Sequence, residues 1–423
     1  MNILILGATG FIGSVVAARL AADGHSVTGL GRNPGRARLK QPAIHWRQDD
    51  LARMTKVEDW DDLLKDQHAV VNCAGALQDS LSDDVTATQA DAMLALYTAA
   101  KRSQPLIVQI SARTAGAAAV LPFLATKRRA DEALAASGLP YVILRPAVVL
   151  GRNAHGGSSL IRALAAFPLV LPLTHAQSPV ETLSADDVAQ AVSRAVAGDL
   201  RGDIVLAADE TLTLADLVHL HRQWLGLPPA RVFSLAPWLA RPVTWFADLS
   251  GLFGWRSPLR STAMTVMSEG VRGADVKNRL PSTSAAATLA ANPSGVQDLW
   301  FARLYLLKPI VISGLSAFWL LSGLIPLLSV TKASAHFLPF MPEAAATALT
   351  LVTCVIDIAL GVAILVRPLA KRALLGMLAV SLAYLTGGTL LEPALWLDPL
   401  GPLIKVLPSI LLTLTALATL DER

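Results

Sequence analysis

Glycines near the start of the chain have the spacing of a turn that binds phosphate groups. The segment Gly7-Ala8-Thr9-Gly10-Phe11-Ile12-Gly13 follows a short apolar strand, residues 3–6, and precedes a helical stretch, residues 14–23. Glycines let the backbone approach a pyrophosphate closely, and the N-terminus of the following helix presents N–H groups to its negative charge. This context predicts a dinucleotide site, with a merely structural glycine turn as the alternative. The residues predicted to contact the dinucleotide are Gly7, Thr9, Gly10, Phe11, Ile12 and Gly13.

The residue after the second predicted strand bears on which dinucleotide is bound. An acidic residue there would accept hydrogen bonds from the ribose 2′-hydroxyl of NAD. The sequence instead has Arg32, and a guanidinium pairs with a 2′-phosphate through bidentate, charge-assisted contacts. NADP(H) is therefore the favoured cofactor, with NAD(H) as a second option. The alternative is that Arg32, Arg36 and Arg38 form a solvated basic loop, as runs of charge usually do.

Motifs after the later strands resemble those of the short-chain dehydrogenase/reductase superfamily, over about residues 1–210. The similarity is to its extended and atypical members, related to the accessory NADPH-binding subunit of respiratory complex I. The resemblance implies that Asp50 lies near the adenine, Ala74 and Gly75 near the middle of the cofactor, and Pro146 near the nicotinamide. It also implies catalytic roles for Ser111 and Lys127, and that Lys127 holds the nicotinamide ribose. The motifs are Asp49-Asp50-Leu51, Asn72-Cys73-Ala74-Gly75, Ser111, Lys127, and Arg145-Pro146-Ala147 with Gly151.

The tyrosine that this family's chemistry requires is replaced. A phenol four residues before the lysine normally exchanges the proton as hydride moves, but Phe123 stands at that position. Tyr97 and Lys101 have the same spacing, but they precede the strand that delivers Ser111 and cannot substitute. The sequence therefore casts doubt on ordinary carbonyl reduction while leaving the cofactor site intact.

Several routes remain for the missing proton. Ser111 could polarise a carbonyl, a water molecule could relay the proton, and Thr114 and Thr126 lie nearby in sequence. An unperturbed hydroxyl is a poor acid near neutral pH. Transfer to a quinone or a flavin-like acceptor would need less help from a protein acid, and this is our hypothesis.

Composition limits the class of protein. With 423 residues the chain has room for two or three domains. It is 53% hydrophobic and 16% charged, against about 25% charged in an average soluble domain, which excludes a disordered chain and argues against a wholly soluble one. Cys73 and Cys354 lie far apart, which argues against a disulfide scaffold and a zinc site. A net charge of +4 gives no case for nucleic-acid binding.

The first half of the chain alternates apolar strands with Ala- and Leu-rich helical stretches. This pattern predicts an α/β fold with a Rossmann-type doubly wound parallel sheet over residues 1–210. Residues 211–300 are less regular, and we expect a substrate-side region that ends in a flexible tether at residues 281–293. Its tryptophans, Trp238, Trp245 and Trp255, indicate either a membrane-surface segment or lipophilic pocket, or ordinary packing. The predicted strands are residues 3–6, 26–30, 44–47, 69–72, 106–110 and 141–144.

Four long apolar runs follow, within residues 304–423. Each is long enough to cross about 30 Å of hydrocarbon, so we predict an all-α bundle of four transmembrane helices. The segment 318–326, the pair Asp357 and Gly361, and the segment 399–405 resemble the DoxX-like family of small membrane domains, whose function is poorly defined. The runs are residues 309–330, 344–366, 373–391 and 399–420.

Basic residues predict the orientation of these helices. Arg367, Lys371 and Arg372 lie between the second and third runs, so this link should face the cytoplasm. The start of the chain has no basic region or cleavage site typical of a signal peptide, and we expect a cytoplasmic N-terminal domain on a multi-pass inner-membrane protein. Asp357, in mid-span, needs a partner such as Lys405 or a Ser or Thr hydroxyl, and is either a proton or quinol contact or a structural hydrogen bond.

Together these features predict a membrane-anchored NADP(H)-dependent oxidoreductase of the short-chain dehydrogenase/reductase type. Its substrate would be lipophilic, such as a quinone or a carbonyl compound, and its partners the lipid bilayer and, in one view, a membrane complex. The alternative is a non-catalytic NADP(H)-binding scaffold or assembly protein. We predict no metal site.

Overall fold

The computed structural model describes residues 1–76, 78–81, 83–112, 121–208, 210–271 and 279–421. The chain forms two compact units. One comprises Met1–Gly251 and Ser257–Ala302, and the other Leu252–Arg256 and Arg303–Arg423.

Fourteen strands lie in the described part of the first unit. They are β1 (Asn2–Leu6), β2 (Ser26–Gly31), β3 (His45–Gln48), β4 (Ala69–Asn72), β5 (Leu106–Ile110), β6 (Tyr141–Pro146), β7 (Val148–Leu150), β8 (Val170–Leu173), β9 (Pro179–Val180), β10 (Thr182–Ser184), β11 (Gly202–Leu206), β12 (Leu212–Thr213), β13 (Arg231–Ser234) and β14 (Arg279–Leu280).

Eight of these strands form one parallel sheet in the order β3-β2-β1-β4-β5-β6-β11-β14. The remaining strands form the pairs β7 with β10, β8 with β13 and β9 with β12. The order reverses between β1 and β4, and ligands of such sheets bind at this reversal, beyond the carboxyl ends of the strands. The predicted parallel sheet is confirmed, and all six predicted strands are present.

Both faces of the sheet are covered, which is why its strands are continuous apolar runs rather than alternating ones. In β1, Ile3 and Ile5 pack into a core on one face, while Leu4 and Leu6 pack into a second core on the other. The first core includes residues of helices α1 and α7, and the second includes residues of α4 and α5. The helices of this unit are α1 (Phe11–Ala22), α2 (Gly35–Lys40), α3 (Asp61–Leu64), α4 (Ala92–Ala100), α5 (Pro122–Ala136), α6 (Gly157–Ala165), α7 (Ala185–Val196), α8 (Leu214–Trp224), α9 (Pro237–Leu252, whose last residue falls in the second unit), α10 (Ser261–Glu269) and α11 (Ala285–Ala291).

The expected flexible tether at residues 281–293 is wrong, because this segment contains helix α11. The side chain of Ser284 caps the helix by accepting a hydrogen bond from the amide of Ala287 at 3.2 Å. Ala285 belongs to a core of the first unit, and Leu289 is also buried. Alanine is the strongest helix former, and a capped alanine stretch with one packed face is ordered despite its lack of charge.

Three helices in the described part of the chain are long and apolar enough to cross a membrane. They are α12 (Val296–Leu327), α14 (Glu343–Ala363) and α15 (Arg367–Leu391), and α13 (Val330–Ser334) is a short helix between the first two.

The fourth predicted span differs from the expectation. It contains α16 (Val406–Thr419), and a helix of this length extends about 21 Å, less than the hydrocarbon thickness. Residues 399–405 form no helix because Gly401 has a φ of +57° and prolines stand on either side of it, at Pro399 and Pro402.

In the described part of the second unit, the four helices of 14 or more residues, α12, α14, α15 and α16, nevertheless run alternately in opposite directions. Lys308, near the start of the apolar part of α12, donates a hydrogen bond to the carbonyl of Leu420 at 3.1 Å. Arg367, the first residue of α15, donates to the same carbonyl at 3.0 Å. The end of α16 therefore returns to the end of the bundle where α12 enters and α14 passes to α15.

Candidate functional site

The glycine turn after β1 leaves no room for side chains. Gly7 has a φ of +70°, and a Cβ added to it would lie 2.8 Å from Ala74 Cα. A Cβ on Gly13 would collide with the carbonyl of Gly7, to which the amide of Gly10 donates at 2.8 Å. No described side chain caps α1, which begins at Phe11, and its first turn has no acidic residue. The turn therefore offers uncapped N–H groups at a positive helix end, which fits a pyrophosphate.

The end of β2 forms the next part of the site. A Cβ on Gly31 would lie 2.9 Å from Thr9 Cγ2, so the threonine side chain of the glycine turn lies against this strand end. Arg32 follows, half exposed, with its guanidinium 2.9 Å from the carboxylate of Asp83. Arg38 donates to the carbonyl of Trp46 at 3.4 Å and so is held against the strand beside β2.

The predicted residues near the adenine and the cofactor's middle lie at the ends of β3 and β4. Asp50 accepts a hydrogen bond from the amide of Ala52 and caps a short 3₁₀ turn, Leu51–Arg53. The amide of Ala74 donates to Asn72 Oδ1 at 3.0 Å, which fixes the backbone opposite Gly7. The structure therefore places Ala74 at the sheet reversal, directly across from the glycine turn. The other predicted backbone position, Pro146, is the last residue of β6.

A donor and an acceptor converge on Gly75. A Cβ at this glycine would lie 3.5 Å from Lys127 Nζ and 3.3 Å from Gln89 Oε1. Lys127 also donates to the carbonyl of Ile110 at 3.0 Å, and burial lowers the pKa of this lysine. Gln89 is buried, and its amide nitrogen donates to Ala76 and Thr126, which leaves Oε1 without a partner among the described residues. A hydroxyl-bearing group beside Gly75 would satisfy both side chains.

Sequence reasoning missed Gln89. It lies in a π-helical turn, Ala87–Asp91, that leads into α4, and such turns are frequent at functional sites. The only local signal is a glutamine near the start of an otherwise apolar helix, which does not reveal that its side chain points toward Gly75.

Ser111 follows β5 directly, and Lys127 reaches the end of that strand from α5, but their side chains have different partners. Ser111 is buried and donates to Asp131 Oδ2 at 2.5 Å. The same carboxylate is paired with Arg145 at 2.9 Å, and Arg145 also binds Asp203. Burial raises the pKa of Asp131, although the serine and the guanidinium oppose this shift. Asp131 thus ties together β5, α5 and β6 beneath the site, and sequence reasoning missed it.

The structure shows few alternatives to the missing phenol. Phe123 lies in the first turn of α5, half-buried. The Thr126 hydroxyl donates to the carbonyl of Pro122 at 2.9 Å, and Thr114 lies outside the described residues. Tyr97 is buried in α4, where burial raises the pKa of its phenol well above the usual range. Burial also raises the pKa of Cys73 to about 12, which disfavours the thiolate form near neutral pH.

An aromatic contact closes the other side of the glycine turn. The ring of Phe11 stacks on that of His155, with centroids 6.4 Å apart and planes 30° from parallel. A Cβ on Gly151 would lie 3.3 Å from this phenylalanine ring, so the chain after β7 packs tightly on the turn. The neighbouring Ile12 packs into the core instead.

The comparisons with known proteins agree with this geometry. Residues 7–198 match the family model described as NAD(P)H-binding, and residues 316–414 match the DoxX-like family. The chain therefore joins a domain similar to the NAD(P)H-binding family to a domain similar to the DoxX-like family. The predicted NAD(P)-binding and DoxX-like domains are thus confirmed, and three helices in the described part of the chain have the length and composition of membrane spans.

The chain is similar to two proteins whose structures were solved in complex with NAD. UDP-glucuronic acid 4-epimerase from Bacillus cereus, in complex with NAD, is 16% identical, with a TM-score of 0.50 over 73% of this chain and 99% of that one. The enzyme WbmH from Bordetella bronchiseptica, in complex with NAD⁺, is 22% identical, with a TM-score of 0.49 over 56% of this chain and 86% of that one.

A curated relative is the uncharacterized protein Rv2047c of Mycobacterium tuberculosis. It is 28% identical over 253 residues, which are 59% of this chain. The match spans about a quarter (26%) of the length of that relative.

The DoxX-like domain contains a polar cluster of its own. Asp357 of α14 is buried and accepts hydrogen bonds from Ser322 of α12 at 2.9 Å and from Tyr384 of α15 at 3.0 Å. The expected hydroxyl partner is therefore present, the tyrosine was missed, and no ion pair with Lys405 is formed. Both carboxylate oxygens are satisfied by neutral donors from two neighbouring helices, as an intramembrane acid requires.

Proposed function

We propose that the protein is a membrane-anchored NADP(H)-dependent oxidoreductase acting on a lipophilic substrate, for which a quinone or a carbonyl compound has the right chemistry. The observation that carries the proposal is the convergence of Lys127 Nζ and the unpartnered Gln89 Oε1 on Gly75. This pair lies at the sheet reversal, opposite the uncapped helix of the glycine turn. The arrangement fits a dinucleotide whose phosphates meet α1 and whose sugar hydroxyls meet the polar pair.

The cofactor would be held by residues from five strand ends and by two side chains of helical segments. The backbone from Gly7 to Gly13 would bind the pyrophosphate, Arg32 a 2′-phosphate, and Lys127 with Gln89 the hydroxyls of the nicotinamide ribose. Asp50, Ala74 and Pro146 would line the remaining length. When bound, the dinucleotide supplies or accepts a hydride. In the division we propose, residues 1–210 hold the nucleotide, residues 211–300 form the substrate side, and residues 304–423 form the membrane domain.

The residues at the position of the usual proton donor favour a hydride acceptor that needs little acid catalysis. Phe123 cannot donate a proton, and the hydroxyl of Ser111 is directed at Asp131 rather than left available to a carbonyl. A quinone can take up its protons from water after reduction, so this acceptor suits the residues present better than a simple ketone does. The DoxX-like domain gives the protein access to acceptors dissolved in the bilayer.

We also propose an inner-membrane location with the nucleotide domain in the cytoplasm. Lys308 and Arg367 meet at the end of the bundle through which the chain enters, and Lys371 and Arg372 follow in the first turns of α15. Basic residues are retained on the cytoplasmic side of bacterial membrane proteins, so this end would face the cytoplasm.

A second candidate is a non-catalytic NADP(H)-binding protein of a membrane complex. Two features favour this second candidate: Phe123 stands in place of the usual tyrosine, and the Ser111 hydroxyl donates to the buried carboxylate of Asp131. Both features remove acid catalysis and leave nucleotide binding intact.

Turnover by the full-length protein in liposomes separates these proposals. NADPH oxidation would be followed with a short-chain ubiquinone, a short-chain menaquinone and a long-chain aldehyde. The Lys127→Met variant loses charged hydrogen bonds of about 1.5–3 kcal/mol and should bind NADPH about 10- to 150-fold more weakly. Lys101→Met, at the end of α4, is the matched control and should bind normally.

Each outcome has one meaning. Quinone-dependent turnover that Lys127→Met weakens supports the oxidoreductase. Tight NADPH binding without turnover with any acceptor supports the non-catalytic protein. Absence of binding of both nucleotides contradicts both proposals.

A further inference from the structure

Helix α9 of the first unit carries its large apolar side chains on the outside. Trp238, Trp245, Phe246 and Leu249 recur at helical spacing and are exposed by 63%, 60%, 63% and 36%. Leu239 and Val243 are also exposed. We call these six residues the apolar stripe of α9. A surface helix of a water-soluble protein turns such a stripe toward its core, so α9 has the reverse arrangement.

The opposite face of α9 is small and polar, and it is the face that the protein covers. Ala247 and Gly251 are the buried residues of the helix. The guanidinium of Arg260 occupies the space where a side chain on Gly251 would lie, and it donates to Asp248 at 3.3 Å. The amide of Ser261 donates to the same carboxylate at 3.2 Å. These contacts fix the rotation of the helix, so the stripe cannot turn inward.

The chain that follows α9 is anchored at the end of the membrane bundle. Phe253 accepts a hydrogen bond from the amide of Arg367 at 2.9 Å, and Trp255 Nε1 donates to the carbonyl of Leu365 at 2.6 Å. The guanidinium of Arg367 and the ammonium of Lys308 lie 5.4 Å and 5.8 Å from the centroid of the Trp255 ring. Leu365 and Arg367 connect two spanning helices, so these residues mark the level of the bilayer surface.

We propose that α9 lies in the bilayer interface, with its apolar stripe in contact with lipid. Continuity of the chain with Phe253 and Trp255 places the C-terminal end of the helix at that level. Tryptophan is the side chain that membrane interfaces favour, and the exposed Arg241 and Arg256 flank the stripe where lipid phosphates lie. The inference concerns the bilayer alone and does not depend on the nucleotide chemistry.

Nitroxide accessibility in the full-length protein tests this placement. Cys73 and Cys354 would be replaced by alanine, and single cysteines introduced as Trp245→Cys, Phe246→Cys and Leu249→Cys. The variants would be labelled in phosphatidylethanolamine/phosphatidylglycerol vesicles. Leu39→Cys on α2 is the matched control, because Leu39 is an exposed apolar residue (84%) on a helix of the nucleotide domain.

At the stripe, collisions with oxygen, which concentrates in lipid, should exceed collisions with a water-soluble nickel chelate. At Leu39→Cys the ratio should be reversed. Equal access of the nickel chelate to the stripe and to the control would overturn the proposal. So would protection of the stripe from both probes, which would indicate that a second copy or another part of the protein covers it.

A second measurement uses the protein without substitutions. A phospholipid with a diazirine in its acyl chain would be activated in the same vesicles, and the labelled peptides mapped by mass spectrometry. Labelling of residues 237–252 together with the spanning helices supports the proposal. Labelling confined to the spanning helices contradicts it.

Discussion

Replacing Arg32 with serine should abolish the preference for NADPH while leaving NADH binding unchanged. The guanidinium is 46% exposed at the end of β2, so its contacts with a phosphate are screened in part by water. Charged hydrogen bonds contribute about 1.5–3 kcal/mol, and the lower half of that range is appropriate here. We therefore expect Kd for NADPH to rise about 10- to 45-fold.

The ion pair between Arg32 and Asp83 allows a second substitution, which should change the affinity for NADPH in the opposite direction. The Asp83 carboxylate is nearly buried and lies 2.9 Å from the guanidinium, so its negative charge would repel a 2′-phosphate bound there. Asp83→Asn keeps the shape and removes the charge, and should tighten NADPH binding. Because this repulsion is electrostatic, the gain should shrink as salt concentration rises.

Titration of the full-length protein in detergent, followed by nicotinamide fluorescence, measures both effects. Arg36→Ser is the matched control, because it removes the same charge from α2, four residues further along. Equal losses for NADPH and NADH in Arg32→Ser would refute the 2′-phosphate reasoning. Equal losses in Arg32→Ser and Arg36→Ser would indicate a solvated basic loop.

Three further predictions concern other parts of the first unit. His221 is 1% exposed, and burial lowers its pKa from 6.5 to about 4. The free energy of unfolding should therefore fall by about 3 kcal/mol as pH falls from 6.5 toward 4. The thermal unfolding midpoint should depend less on pH in the His221→Gln variant than in the unmodified protein. Phe123→Tyr restores a phenol four residues before Lys127 and should increase NADPH-dependent aldehyde reduction, measured beside Phe123→Leu; no gain would mean that the substrate does not reach α5. Ser284→Ala removes the cap of α11 at about 1 kcal/mol and should speed amide exchange of residues 285–291 about fivefold, whereas an unchanged rate would argue against the cap.

The strands and the glycine turn were predictable because local sequence determines them. A buried parallel strand is a short apolar run, and a turn that brings Gly7 against Ala74 tolerates only glycine. The positions of Gly7, Gly13 and Gly75 therefore follow from the types of residue present. The sheet order then places them together without information from distant residues.

The partners of Asp131 were not predictable in the same way. Lys127 and Asp131 stand four residues apart on α5, a spacing typical of a solvated pair on a helix surface. The structure instead turns this face toward β5 and β6, where Asp131 meets Ser111 and Arg145. Such contacts depend on how the helix packs on the sheet, which periodicity alone does not determine.

Composition misled the prediction at α11 and at the start of the fourth apolar run. Residues 281–293 are rich in Ser, Ala and Thr and carry no charge, which suggests a linker, yet one serine cap and two buried apolar side chains order a helix. Residues 399–405 are apolar enough to suggest a membrane span, yet two prolines and a glycine with positive φ keep them out of the helix. In both cases the backbone preferences of a few residues outweighed mean hydropathy.

Binding and proton transfer are encoded by different kinds of residue in this domain. In the proposed site, dinucleotide binding would depend on missing side chains, at Gly7, Gly13 and Gly75, and on a lysine held by the backbone of β5. The resemblance to short-chain dehydrogenases/reductases implies that proton transfer depends on one phenol, and Phe123 lacks that phenol while the glycine positions remain in place. The Ser111 hydroxyl can likewise be withdrawn by Asp131 while the strand end stays in place. A cofactor site without a protein acid is sufficient for an enzyme whose hydride acceptor needs no proton from the protein. The same site is sufficient for a protein that only binds the nucleotide. The identity of the acceptor, rather than the affinity for NADPH, therefore distinguishes the two.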